Sequence, residues 1–200
     1  MQQSTFPVAS HNQIKKWTKL LQGKFRDEEG LFLAEGVKVV DELLKSDWQA
    51  EAIVVLPEKM SYWEELHFPK QIPIYQLSLS EFKKLSQDKE PEGVIAVVTV
   101  KERPSVESLC QSASGHLLAA HEISNPQNLG ALLRTARWFG FADIVLGTNS
   151  VDWTHPKSVR ASMGAVFHLN ICPNADLAAV LPEIKKKYQI IGSDVRRGIS

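Results

Sequence analysis

Residues Glu122 to Gly140, EISNPQNLGALLRTARWFG, combine the residue types needed to hold an anion beside a reacting hydroxyl. An apolar run ends near Ala120, and Asn125-Pro126-Gln127-Asn128 turns the chain toward a stretch of helical periodicity from Leu129. Open α/β sheets bind ligands at this place, outside the carboxyl ends of their strands. Asn128 and Gly130 fall near the helix N-terminus, where free backbone N–H groups and the helix dipole favour an anion such as phosphate. Gly130 and Ala131 are small enough to permit close backbone approach. Arg134 stands six residues past Asn128. From there its guanidinium can reach back toward the mouth of the sheet and grip a phosphate through paired N–H donors. The plainer alternative is that Asn128 caps the helix and Arg134 is a surface cation; the residues alone leave both open.

A second charged feature lies near the N-terminus. Five basic residues, Lys15, Lys16, Lys19, Lys24 and Arg26, occur between His11 and Arg26 with no acid among them. Ile14, Trp17, Leu20 and Leu21 recur at spacings of three and four, the stripe of an amphipathic helix, which leaves Lys15, Lys16 and Lys19 largely outward. Such a face suits an RNA backbone, or it is simply solvated. The 23 basic and 23 acidic side chains cancel, which argues against a protein held on nucleic acid by bulk charge.

Other chemistries find little support. Six scattered histidines and two distant cysteines, Cys110 and Cys172, show no metal-ligand spacing. Neither a GxGxxG nor a GxxxxGK[ST] loop is present. No run approaches the roughly 20 apolar residues of a membrane span, and the N-terminus lacks a signal-peptide pattern, so a cytoplasmic protein with no membrane or metal partner is expected.

The elements that must position these residues follow from periodicity and punctuation. Helices are predicted over 12–21, 37–44 and 79–85, the last with Ser78 and Glu81 at capping-box spacing. Strands are predicted over 31–34, 52–56, 72–77 and 93–100, with Pro73 pointing to an edge. Residues 24–30 read as a charged turn. Pro104 and four serines mark residues 101–115 as a linker. Beyond it come strand 116–120, helix 129–139, strand 143–147, helix 156–165, strand 167–171, a helix over 175–187 broken at Pro182, and strand 189–192. Regular alternation of this kind implies a largely parallel sheet covered on both faces. The organisation is therefore α/β in two units, 1–103 and 116–200, joined through 104–115.

NPQNLGALLRTARWFGF resembles the first signature of the SpoU/TrmH family of RNA 2′-O-methyltransferases, and Lys157-Ser158-Val159-Arg160-Ala161-Ser162-Met163-Gly164-Ala165 resembles the stretch that follows it. NQIKKWTKLL, FRDEEGLFLAEGVKVVDELL and KEPEGVIAVV resemble the family's RNA-binding extension. The resemblance implies a small α/β/α RNA-binding domain and a trefoil-knot methyltransferase domain. It implies methyl transfer from S-adenosyl-L-methionine to a ribose 2′-hydroxyl of ribosomal or transfer RNA, usually by a homodimer, with ribosomal RNA favoured. Arg134 and Asn128 then take the catalytic positions. Lys15, Lys16, Lys19, Arg26, Arg160 and Ser162 face RNA, and Ser193 lies against the cofactor. Because arginine is a weak base, Arg134 is expected to hold a phosphate or the developing alkoxide.

One departure shapes the expectations. Family members continue past the equivalent of Ser200 with a glycine-and-glutamate loop, an Ile-Pro strand and a Ser-Leu-Asn helix, which complete the cofactor pocket, the knot and the dimer. These 200 residues are accordingly expected to hold an incomplete knot, to bind S-adenosylmethionine weakly or not at all, and to have an aggregation-prone or disordered C-terminal end. A truncated enzyme, a member that binds RNA without methylating, and a missing part supplied otherwise all fit.

Overall fold

The structure, a computed structural model, describes residues 6–111 and 115–193. In the first half, helices α1 (His11–Lys19) and α2 (Gly23–Glu29) precede strand β1 (Leu31–Glu35) and helix α3 (Val37–Leu44). Strand β2 (Ala50–Val55), a short helix α4 (Met60–Trp63), strand β3 (Ile74–Gln76), helix α5 (Leu79–Leu85) and strand β4 (Val94–Thr99) complete it. The second half contains α6 (Val106–Gln111), β5 (Leu117–Ala120), α7 (Pro126–Trp138), β6 (Asp143–Gly147), α8 (Pro156–Ala161), β7 (Asn170–Ala175) and α9 (Leu177–Ile184).

Two sheets form, in the orders β1-β4-β2-β3 and β5-β6-β7. The first is mixed, with β4 antiparallel to β1 and β2, and β3 parallel to β2. Strand β3 is an edge, as Pro73 predicts. The second sheet is wholly parallel.

Side-chain alternation explains why β1, β2 and β4 read as continuous apolar runs. Successive residues point to opposite faces. Leu31, Leu33, Ala52, Val54, Ile95 and Val97 pack with Ile14, Trp17 and Leu20 of the first helical region and with Phe82 and Leu85 of α5. Phe32, Ala34, Ile53, Val55, Ala96 and Val98 belong to a second cluster that takes in α3 and continues into Leu129, Leu133, Ile144, Val159 and Phe167 of the second half. Around Phe32, the rings of Trp153 and Phe167 lie 5.7 and 6.3 Å away between centroids. The two sheets thus share one core. In the parallel sheet, Ile144 and Leu146 face α7, whereas Val145 and Cys172 face α6 and α9.

Several predicted elements change. Residues 23–29 are helical where a turn over 24–30 is predicted, and Gly30 ends α2 at φ 63°; a dense run of charges masked the short helix. The predicted linker contains α6, whose Val106, Leu109 and Cys110 are buried. Helix α8 stops at Ala161 because Met163 and Gly164 adopt positive φ, and residues 165–168 form a 3-10 turn where a strand was predicted. Strand β7 therefore starts at Asn170, and it accommodates Pro173 because it is an edge strand. Helix α9 continues through Pro182. Residues 189–193 are exposed and form no strand; they find no ladder partner among the described residues. The C-terminal end expected to be disordered falls largely in 194–200, outside the described residues.

Candidate active site

Helix α7 begins one turn earlier than its apolar pattern indicates. Asn125, not Asn128, is its cap: the Asn125 side-chain oxygen accepts from Gln127 N at 2.8 Å and Asn128 N at 3.2 Å. Pro126 takes the first helical position, where no N–H is needed. Asn128 is left exposed within the first turn, its side chain free of capping duty.

The loop that feeds α7 is held from behind. Val151 N donates to Ile123 O at 2.7 Å, and Ile123 N to Ser150 Oγ at 3.3 Å. Glu122 and Asn149 both adopt positive φ, 50° and 64°, and Asn149 Nδ2 donates to Glu122 Oε1 at 3.4 Å. Left-handed backbone at two non-glycine residues costs about 1–2 kcal/mol each, so these cross-links fix the strand-end loops in an otherwise unfavourable shape.

Arg134 lies on the exposed side of α7 and makes no ion pair among the described residues. It is available to an outside anion. Gly130 is not: an added Cβ would stand 2.4 Å from Ser158 O and 2.5 Å from Ala161 Cβ. The glycine admits helix α8, rather than a ligand as its position in the sequence suggests.

The second signature turns out to be largely structural. Ser162 is fully buried and its Oγ donates to Val159 O at 2.6 Å, so it is not on an RNA surface. Arg160 reaches across to the first half and pairs with Asp88. Burial alone would raise the Asp88 carboxyl, but hydrogen bonds from Arg160 and from the Glu90 backbone leave it below its ordinary value. Behind it, burial raises the Glu35 carboxyl, against hydrogen bonds from Ser86 Oγ and Gln87 N that favour its charged form.

Arg26 does not face RNA either. It is only 3% exposed. Its Nη2 donates to Asp152 Oδ2 at 2.7 Å, its Nε to Thr154 Oγ1 at 3.1 Å, and its Nη1 to Leu20 O at 3.0 Å. Here too burial opposes the charge, and bonds from Thr154 and Arg26 hold the Asp152 carboxyl below its usual value. His168 Nε2 and Glu42 Oε2, at 2.8 Å, form a third bridge between the halves. Sequence reasoning missed Asp88, Asp152 and Glu42. Asp152 carries a local signal, since Thr154 and α8 follow it at once, but its partner lies 126 residues away.

The outward face of α1 is mixed. Lys15 and Lys19 are exposed and border a shallow cleft of about 300 Å³ with His11, Thr18 and Lys84. Lys16 is engaged instead by Glu51 at 3.2 Å and Glu29 at 3.8 Å. These lysines lie on the face of the first sheet opposite α7, so they and Arg134 form separate sites.

Ser193 is exposed and joins no cluster. At the carboxyl ends of β6 and β7, a crevice of about 250 Å³ is lined by Leu146, Ser150, Val151, Asp152, Pro173 and Asn174, and is closed by Gly23, Lys24, Asp27 and Arg103. Ligand clefts typically span about 300–1,000 Å³. Ser150 and Asn174 offer a hydroxyl and an amide to a ribose such as that of S-adenosylmethionine, within a lining that also carries Lys24, Asp27, Arg103 and Asp152.

Comparison with known proteins bears on this arrangement. Residues 11–96 match the MRM3-like substrate binding domain, and residues 115–199 match the SpoU rRNA Methylase family. The chain is 28% identical over 195 residues to the 23S rRNA (guanosine(2553)-2'-O)-methyltransferase RlmP of Bacillus subtilis, covering 95% of this chain and 73% of that one. It is 26% identical to the human mitochondrial rRNA methyltransferase 3, covering 78% of this chain and only 38% of that longer protein. Among solved structures, a chain assigned to the TrmH family of RNA methyltransferases from Porphyromonas gingivalis superposes with TM-score 0.75 and 29% identity, over 90% of this chain and 68% of that one. An AdoMet-bound rRNA methyltransferase from Sinorhizobium meliloti shares the fold, with TM-score 0.72 and 22% identity, over 90% and 69% of the two chains. With both signatures in order along one parallel sheet, and both halves matched, the chain belongs to the SpoU/TrmH family of RNA methyltransferases.

Proposed function

We propose that this protein transfers a methyl group from S-adenosylmethionine to a ribose 2′-hydroxyl of ribosomal RNA. The observation that carries the reading is Arg134: a signature arginine on the exposed side of α7, the helix that follows the cross-linked loop, with no carboxylate engaged among the described residues. The relatives named above support the substrate class, since two of them are named as rRNA methyltransferases.

S-adenosylmethionine supplies an electrophilic methyl group when bound; the residues of this chain must do the rest. A ribose hydroxyl is a poor nucleophile, so it must be held in line and its developing negative charge stabilised. Arg134 serves that purpose with fixed N–H donors, directed at a neighbouring phosphate or at the alkoxide itself. A guanidinium is too weak a base to take up the proton, which leaves proton acceptance to a phosphate oxygen or water. Asn128, nearer the helix start, adds an amide that can donate or accept at the sugar.

Trp138 and Phe139 are 86% and 69% exposed at the end of the same helix. Two open aromatic rings favour a homodimer contact confined to the C-terminal end of α7, beyond Arg134 and Arg137.

The test is transfer of labelled methyl from S-adenosylmethionine to bulk ribosomal RNA, followed by alkaline hydrolysis. A methylated 2′-oxygen cannot attack its phosphodiester, so product survives as alkali-resistant dinucleotide. Arg134→Ala is expected to reduce the rate by about 10²–10³, the range for loss of one transition-state donor. Unchanged activity in that variant removes its assigned role, and RNA binding without incorporation assigns the chain to RNA-binding members that do not methylate.

A further inference from the structure

Away from the carboxyl ends of the parallel strands, a cleft of about 470 Å³ opens between the two halves. Its walls come from three parts of the chain that lie far apart in sequence: the turn after α3, the segment after β4, and the end of α7 with the approach to β7. Lys45, Lys101, Arg103 and Arg137 border it, against Asp47 and Glu102 as the acids of the lining. Trp48, Trp153 and Phe167 supply aromatic surface, and of these Trp48 is the one left partly open. Lys101 Nζ stands 5.1 Å above the Trp48 ring and 2.5 Å from Asp47.

The cations differ in how far they are committed. Lys45 pairs with Asp41 at 2.6 Å, Lys101 with the highly exposed Asp47 at 2.5 Å, and Arg103 approaches Asp27 at 3.5 Å. Arg137 is exposed and makes no ion pair among the described residues. It follows Arg134 by three residues on α7, a separation of about 4.5 Å along the axis and about 60° around it. A strand gripped at Arg137 therefore runs along one side of α7 to Arg134.

A positively bordered cleft with an accessible indole combines the two features that bind single-stranded nucleic acid: cations that follow the backbone and an aromatic surface on which a base can rest. We propose that this inter-half cleft holds a single-stranded RNA segment flanking the nucleotide at Arg134, with Arg137 on one phosphate, Lys101 exchanging the exposed Asp47 carboxylate for another, and Trp48 against a base. This inference rests on the reading of the protein as one that acts on RNA. It adds a binding surface built by both halves, distinct from the lysines of α1.

The experiment uses the 200-residue chain and a fluorescein-labelled oligouridine, with anisotropy read at several salt concentrations. Arg137→Glu combined with Lys101→Gln is expected to weaken binding at least ten-fold at low salt. It should also reduce the slope of log K against log salt by about 1.4, since each phosphate left unneutralised on a single strand removes about 0.7. Lys15→Ala with Lys19→Ala serves as the comparison at a distant surface. Substituting 4-thiouridine in the same oligomer and irradiating the unaltered chain should place cross-links within residues 45–48 and 101–104. Unchanged affinity and slope in the cleft variant, or cross-links confined to other segments, overturn the cleft while leaving RNA as substrate. No RNA binding by the unaltered chain overturns both.

Discussion

Gly130 and Gly30 separate two demands that a glycine can meet. At Gly30 the chain needs a left-handed residue to end α2, and a Cβ there would meet nothing within 4 Å. Gly30→Ala should cost about 1–2 kcal/mol from backbone strain alone. Gly130 has ordinary helical backbone, but its Cβ would collide with the Ser158 carbonyl. Gly130→Ala should therefore cost about 1–3 kcal/mol through overpacking, and Gly130→Val considerably more. Urea titrations of the variants separate the cases, because only the Gly130 series should worsen with side-chain size. The ion pairs behave differently again. Asp152→Ala leaves the Arg26 guanidinium buried with one backbone carbonyl and one hydroxyl. A loss of about 3–5 kcal/mol is expected, and a change below about 1 kcal/mol would place Arg26 in solvent rather than in the core.

At the scale of elements, α7 depends on a cap that the apolar pattern does not reveal. Asn125 satisfies two of the first backbone donors. Asn125→Ala should destabilise by about 0.5–2 kcal/mol, and Asn125→Asp should restore the cap and add favourable charge at the helix start. If activity falls in Asn125→Ala but recovers in Asn125→Asp, the cap is what positions Arg134. Helix α8 is tied at both ends, by Asp152 and Thr154 near its start and by Arg160 to Asp88 toward its end. These carboxyls also give a pH signature. The folded pKa of Asp152 lies below its usual 3.8, so its contribution is fully present above that value and is lost as pH falls through the folded one. Glu35 lies above its usual 4.5, chiefly through burial, so stability declines as pH rises from 4.5 through its raised value. Asp152→Asn should flatten the acid limb of a stability–pH curve, whereas Glu35→Gln should flatten the limb above it.

For the whole molecule, the shared core makes the two halves energetically one. Phe32 of the first sheet packs against Trp153 and Phe167 of the second half, and Trp48 joins them. Fully burying each large apolar side chain contributes about 1.5–3 kcal/mol, so separating the sheets exposes more than either half readily tolerates. Heat or urea should produce a single transition, coincident in far- and near-ultraviolet circular dichroism. A fragment ending at residue 103 should bind a hydrophobic dye through its uncovered sheet face. Two resolved transitions, or a fragment that melts cooperatively without dye binding, would show the halves to be independent.

Local chemistry made much of this protein legible. The continuous apolar runs of β1, β2 and β4, the capping box before α5, the edge position of Pro73 and the Asn-to-Arg signature of α7 all depend on neighbours within a few residues, so the sequence alone determined them. The second signature was legible as a pattern but not as a role. Whether Arg160 and Ser162 face RNA or the interior depends on Asp88 and on how closely α8 approaches Gly130, and no local rule supplies that distance. The same holds for Arg26, which looks like one more cation of a basic run until folding brings Asp152 beside it from 126 residues away. Burial then decides the matter: a guanidinium removed from water must find a carboxylate, whereas Arg134 and Arg137, left in solvent on α7, remain available to an anion from outside.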